Sequence, residues 1–220
     1  MIRGAIFDVD GTLLNSMYVW ETIGDRYLKS LGIEPRENLW ETFRTFTLEE
    51  AARYYRDQYG VTLSVKEIME GGNRLIETMY FEEVQPKPGV QELLQKLQDH
   101  KVPMVIATAT DRYLVEAALR RCGLLSYFQE ILTCREYGSK ENPGIFEAAL
   151  SILNTPKADT WVFEDAHHAA ATAAQAGFPV LGIFDPSETR QQALKSVSNI
   201  YLEDFTQAEP FYRFLSPKRD

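Results

Sequence analysis

Two carboxylates one residue apart, Asp8 and Asp10, close a short apolar run, Ala5-Ile6-Phe7, and Gly11-Thr12 follows at once. In an extended chain residues i and i+2 point to the same side, so both acids can face one space beyond a strand's end. Carboxylates that close repel, and both stay comfortable only if a cation neutralises one or a proton sits on the other. That divides their roles. Asp8 is read as the ionised member, able to bind a hard divalent ion and to attack phosphorus; Asp10 is read as the group of raised proton affinity that protonates a leaving oxygen. Gly11 permits a tight turn, and the amides around Gly11 and Thr12 can face a bound phosphate. The competing account is an acidic strand-to-loop turn closed by an Asx-type hydrogen bond.

A second acid pair, Glu164-Asp165, ends another apolar run, Trp161-Val162-Phe163. In a parallel sheet that end lies on the same edge as Asp8. Magnesium takes carboxylate, carbonyl and water oxygens, so Asp8, the Asp10 carbonyl and Asp165 make an adequate set, with Glu164 either a direct ligand or a neighbour that orients one. Asp165 also has a structural reading as the N-cap of the alanine-rich helix that follows. Thr108 closes the run Met104 to Ala107, and its hydroxyl with the following amides, beginning at Ala109, suits phosphate oxygens at a helix N-terminus; Thr110 competes for that role. Lys140 precedes a helical stripe and can offset charge on Asp8 and a phosphate.

These groups need a frame. Short apolar runs rich in branched residues recur at 5–7, 104–107, 130–132, 161–163, 180–183 and, weakly, 200–202, without the polar alternation of a half-exposed sheet. Helical periodicity fills the intervals: Val90, Leu93, Leu94 and Leu97 form one stripe, and Ile145, Ala148, Ala149 and Ile152 another. Strand alternating with helix predicts an α/β, Rossmann-like, doubly wound parallel sheet with ligands at the carboxyl ends of its strands. Between Asp10 and about Pro86 the rhythm stops and only helical signals appear, including capping boxes at Thr47/Glu50 and Ser64/Glu67. An all-helical insert over residues 15–85 is expected, with a core formed by 1–14 and 86–220. Gln85-Pro86-Lys87-Pro88-Gly89 serves as a stiff return linker, and 216–220 as a frayed tail.

At 220 residues and 45% hydrophobic content the chain can bury such a core and insert. A formal charge of -9 argues against general affinity for nucleic acid or an anionic membrane, so an anionic ligand must be drawn in by a local cation, lysine or amides. The N-terminal apolar run is too short for a signal peptide or a span, and a cytoplasmic home is expected. Cys122 and Cys134 lack metal spacing and are read as reduced packing residues.

In this order the Asp8-Val9-Asp10-Gly11-Thr12 motif, Thr108, Lys140 and Glu164-Asp165 resemble the haloacid dehalogenase-like hydrolases, specifically the subfamily I members with a helical cap inserted after the first motif. The likeness covers nearly the whole chain. It implies a Rossmann-like core, Mg²⁺, an aspartyl-phosphate on Asp8, and Asp10 as general acid and then base toward a small phosphorylated metabolite, in a monomer or small homo-oligomer. A phosphatase is the leading expectation. A sugar phosphomutase of the β-phosphoglucomutase-like group is the alternative, and a non-catalytic phosphate-ligand binding protein a third reading.

Departures from the pattern refine this. Asn15 stands where many relatives carry aspartate. The mutases grip a second phosphate with a cap arginine, whereas here the stretch reads Thr45-Phe46-Thr47-Leu48-Glu49-Glu50, with Arg44 nearby. True dehalogenases lack an acid equivalent to Asp10, and Lys66 is a poor match for a phosphonate-cleaving lysine. His167 and His168 are read as first-turn helix residues, because a hard site does not favour imidazole. Tyr54, Tyr55, Tyr59, Trp20 and Trp40 are read as core of the insert, and Phe43 and Phe46 as lining a substrate pocket.

Overall fold

The computed structural model describes residues 1–36, 38–43 and 46–215. The chain opens with strand β1 (Gly4–Phe7) and a two-residue β2 (Leu14–Asn15). Helices α1 (Met17–Ser30), α2 (Leu39–Phe43), α3 (Leu48–Tyr59) and α4 (Val65–Thr78) follow, and α4 runs into a π-helical turn, Met79–Glu83. Then come β3 (Gln85–Pro86), α5 (Val90–Asp99), β4 (Met104–Thr108), α6 (Arg112–Arg121), β5 (Ile131–Thr133) and α7 (Cys134–Tyr137). Helix α8 (Gly144–Leu153), β6 (Thr160–Glu164), α9 (His167–Gln175), β7 (Val180–Ile183), α10 (Gln191–Val197), β8 (Ile200–Leu202) and α11 (Glu209–Tyr212) complete the order. Two compact units result: Ser16–Val84, and Met1–Asn15 joined to the chain from Gln85 onward.

In the second of these, six strands pair in the order β5-β4-β1-β6-β7-β8, all parallel. Every residue of β1, β4 and β6 is buried, as expected of strands covered on both faces. Strand β1 lies between β4 and β6, with Phe7 opposite Ile106 on one side and Phe163 on the other. Phe7 stacks on Phe163 at 4.1 Å between ring centroids, which ties the last turn of both strands to one register. That register carries the residues just past Phe7 and Phe163 to the same edge.

The stripe on α5 is buried as read, with Val90, Leu93, Leu94 and Leu97 all fully covered. The stripe on α8 is corrected. Ile145, Phe146, Ala149 and Leu153 face the core, Ala148 is only partly covered, and Ile152 is 39% exposed. At 100° per residue, Phe146 and Leu153 lie on one side of the 145–149 line and Ala148 and Ile152 on the other, so the sheet selects the face carrying the larger aromatic. A second difference is the antiparallel ribbon β2–β3, in which Leu14 pairs with Pro86 and Asn15 with Gln85. Strands of two residues carry no periodic signal, and the sequence reads there as loop and linker.

The Ser16–Val84 unit holds its own core of Tyr27, Leu28, Leu39, Ala52, Tyr55, Val61 and Ile68, with Tyr54 and Tyr59 packed against it. Both capping boxes form: Thr47 Oγ1 accepts from the Glu50 amide and Ser64 Oγ from the Glu67 amide, while each glutamate accepts from the cap residue's own N–H. Each satisfies two otherwise orphaned amides at a helix start. No helix among the described residues is long and apolar enough to cross a membrane.

Candidate active site

Asp8 follows β1 and is held there by its own N–H, which donates to the Phe163 carbonyl at 3.0 Å. The chain then turns on Val9, whose carbonyl accepts from the amides of Leu13 (2.9 Å) and Leu14 (2.8 Å), with Thr12 more distant at 3.3 Å. Gly11 sits in this turn at φ 82°, in the left-handed region that favours glycine. A Cβ there would lie 2.3 Å from Asp165 Oδ2, so the position requires glycine for backbone and for space. The Gly11 N–H donates to the Leu14 carbonyl (3.0 Å), and the Thr12 hydroxyl donates to Asp165 Oδ1 (2.7 Å). Thr12, read as a phosphate contact, thus has its side chain turned to Asp165. Asp10, half-buried in the same turn, forms an isolated bridge with Leu14.

Asp165 is not a helix cap, since α9 begins after Ala166. Its carboxylate belongs to a buried group instead: one oxygen each from Asp8, Glu164 and Asp165 lies within 4.8 Å of the others. Lys140 reaches into this group from the segment before α8, with Nζ donating to Glu164 Oε1 at 2.6 Å and to Asp8 Oδ1. Glu164 Oε2 in turn accepts from the Ala166 N–H at 3.2 Å. Lys140 stands against the usual fate of a lysine ahead of a helix, because two buried acids replace its water.

Three carboxylates around one ammonium leave an excess of negative charge out of water. Burial raises Asp8 to about 6 against the pull of Lys140, with Glu164 adding to the rise. Burial also pushes Asp165 well above the ordinary carboxylate range, reinforced by Asp8 and Glu164 and opposed by the Thr12 hydrogen bond. For Lys140 burial works against the charge, but Asp8 and Glu164 outweigh it and hold the ammonium protonated above its usual range. The donor set is hard oxygen only, and its charge deficit is of the kind a divalent cation removes.

Thr108 ends β4, the strand beside β1, and is fully buried; its Oγ1 accepts from the Thr110 amide at 3.1 Å. Ala109 next to it is exposed, and α6 starts only after Asp111. His167 and His168 occupy the first positions of α9. Cys122 and Cys134 are free thiols raised by burial. Asn15 is exposed in β2, and Lys66 is exposed in a long pair with Glu70 (3.8 Å). Arg44 and Thr45 lie outside the described residues. Phe43 and Phe46 line an apolar cavity inside the Ser16–Val84 unit, together with Trp20 and Trp40.

One pair escaped the sequence reading. Asp185, past the end of β7, is 1% exposed and forms an ion pair with Lys87 at 2.8 Å; Lys87 Nζ also donates to the Phe184 carbonyl. Lys87 N–H donates to the Leu13 carbonyl, so this pair fastens the return linker to the turn after Asp8 and to the end of β7. Its signal was an acid just past an apolar run, the same pattern that singled out Asp8 and Asp165.

By fold the chain is a Rossmann-like α/β protein with a helical insertion. A crystal structure of a putative beta-phosphoglucomutase from Thermotoga maritima matches it with a TM-score of 0.81, at 21% identity over 91% of this chain and 94% of that one. The family model for haloacid dehalogenase-like hydrolases matches residues 5–183, and the chain belongs to that family. Similar proteins include validoxylamine A 7'-phosphate phosphatase of Streptomyces hygroscopicus subsp. limoneus, 26% identical over 94% of this chain and 96% of that one. Another is a probable pseudouridine-5'-phosphatase of Drosophila melanogaster, 25% identical over 93% and 94%.

Proposed function

We propose that this hydrolase is a magnesium-dependent phosphatase that cleaves a small-molecule phosphate monoester through an aspartyl-phosphate on Asp8. The observation that carries the reading is the buried group of Asp8, Glu164 and Asp165 with Lys140 set among them. Asp8, Asp165 and the Asp10 carbonyl would hold the cation, and Glu164, already bonded to Lys140 and the Ala166 amide, orients the lysine and the loop. The cation, when bound, supplies positive charge to the carboxylates and to a phosphate brought beside them.

The rest falls to side chains. Lys140 keeps Asp8 ionised and offsets charge on the transferring group. An Asp8 carboxylate oxygen attacks phosphorus, the bond from phosphorus to the ester oxygen breaks, and Asp10 gives its proton to that oxygen. Asp10 then takes a proton from water, the water oxygen attacks phosphorus, and the Asp8–phosphorus bond breaks to release inorganic phosphate. Thr108 and the Ala109 amide face the phosphate, Gly11 and Thr12 shape the turn that presents Asp8, and the Ser16–Val84 unit serves as the cap. The relatives named as phosphatases support hydrolysis over isomerisation. The test is phosphate release across sugar phosphates, phosphoglycolate and nucleoside monophosphates, with and without EDTA. Release that needs Mg²⁺ and vanishes in Asp8→Asn is expected; EDTA-insensitive release, or release retained in Asp8→Asn, overturns the reading.

A further inference from the structure

The Ser16–Val84 unit contains a cavity of about 180 Å³ between α1, α2, α3 and α4. For scale, a dry apolar cavity of about 150 Å³ accepts benzene. Protein interiors are close-packed, and a void of this size forfeits contacts along its whole lining. The chain maintains it by choice of residue. Gly72, in the middle of α4 where glycine is unfavourable, lines the cavity, and a Cβ added there would meet no atom within 4 Å. Ala51 and Ala52 line it from α3.

No charged side chain lines the cavity among the described residues. Two polar side-chain atoms of its wall are engaged: Tyr55 Oη donates to the Gly24 carbonyl (3.1 Å), and Thr47 Oγ1 is taken up by its capping box. Aromatic rings supply much of the remaining wall, with Phe43 edge-on to Tyr55 at 5.2 Å and stacked on Phe46 at 5.5 Å. Phe46 and Leu48, both in the lining, are 38% and 53% exposed.

We infer that this cavity is a binding site for an uncharged aromatic molecule of one or two rings. Flat rings fill a slot walled by rings through edge and offset contacts, and among the described residues a charged group would find no oppositely charged partner there. The inference uses none of the catalytic or metal-holding residues of the phosphatase reading, although Phe43 and Phe46 are the residues that the sequence suggests for a substrate pocket.

The test titrates the full chain with fluorobenzene, followed by ¹⁹F NMR and by thermal unfolding. Saturable broadening at or below about 1 mM with a rise in Tm is expected. Benzoate, the same ring carrying a charge, is expected to show neither. Gly72→Leu from α4 and Ala51→Met from α3 each project a side chain into the space and should weaken fluorobenzene binding at least tenfold. Far-UV circular dichroism identifies which variant keeps its helices, and two variants on different helices guard against one failing to fold. Asp8→Asn should bind like the unaltered chain. A strictly linear response by the unaltered chain, equal binding of benzoate, or wild-type affinity in a folded filling variant overturns the inference.

Discussion

Replacing Lys140 by methionine removes the ammonium set among the buried carboxylates of Asp8, Glu164 and Asp165 while keeping an unbranched side chain of similar length. The Lys140 side chain is 7% exposed and bridges Asp8 and Glu164. Removing one partner of a buried pair costs about 3–5 kcal/mol, because the groups left behind stay charged without compensation. At roughly 2–4 °C per kcal/mol for a chain of this size, the metal-free variant should unfold roughly 6–20 °C lower than the unaltered chain at pH 8. The penalty exists only while the carboxylates are ionised. With Asp8 at about 6 in the folded chain, the gap should narrow markedly at pH 4.5, where a proton replaces the lysine's charge. Phosphate release should fall at least about a hundredfold, the scale of losing one electrostatic partner of a phosphoryl group. Thermal melts in EDTA at the two pH values, with steady-state phosphate release at pH 7.5, measure both effects. A variant that melts with the unaltered chain at pH 8 and turns over at its rate would refute the assignment of Lys140.

The ionisation of Asp8 makes a further prediction. Its folded value of about 6 lies above the ordinary 3.8, so its contribution to stability is fully present below pH 3.8 and lost as pH rises through 6. The difference of about 2 units corresponds to about 3 kcal/mol. In EDTA, Asp8→Asn should therefore gain on the unaltered chain by that order between pH 4 and 7 in denaturant unfolding, and Mg²⁺ should reverse the gain; a pH-independent difference counts against it. Gly11→Ala should cost about 1–2 kcal/mol from its left-handed backbone alone. Its Cβ also displaces the Asp165 carboxylate 2.3 Å away. Mg²⁺ affinity by calorimetry should then fall at least about tenfold, and an unchanged affinity would separate Asp165 from the cation.

Much of the site was legible because each part ended a buried strand. Apolar runs that stop in acid at Phe7-Asp8 and Phe163-Glu164-Asp165 announce both the strand and the edge at which it ends, and parallel pairing brings those edges together. Lys140 was legible only by order in the chain, since nothing local distinguishes it from a solvated lysine until its neighbours are present. The Lys87–Asp185 pair joins residues far apart in sequence, and no local period encodes it. The α8 stripe shows the limit of periodicity: two adjacent faces both carry apolar residues, and only the sheet decides which is buried. Phe43 and Phe46 suggest the lining of a substrate pocket in the sequence, whereas the space left beside them at Gly72 is visible only against its neighbours.

The central claim is covalent capture by Asp8, and it can be seen directly. The chain is mixed with Mg²⁺ and the best ester from the substrate screen, quenched in acid within the first turnover, digested, and read by peptide mass spectrometry. A phosphoryl group on Asp8, present in the unaltered chain, absent in Asp8→Asn and decaying as phosphate appears, is the predicted result. Rapid phosphate release with the Asp8 peptide unmodified throughout, or with the label on another residue, would contradict the account.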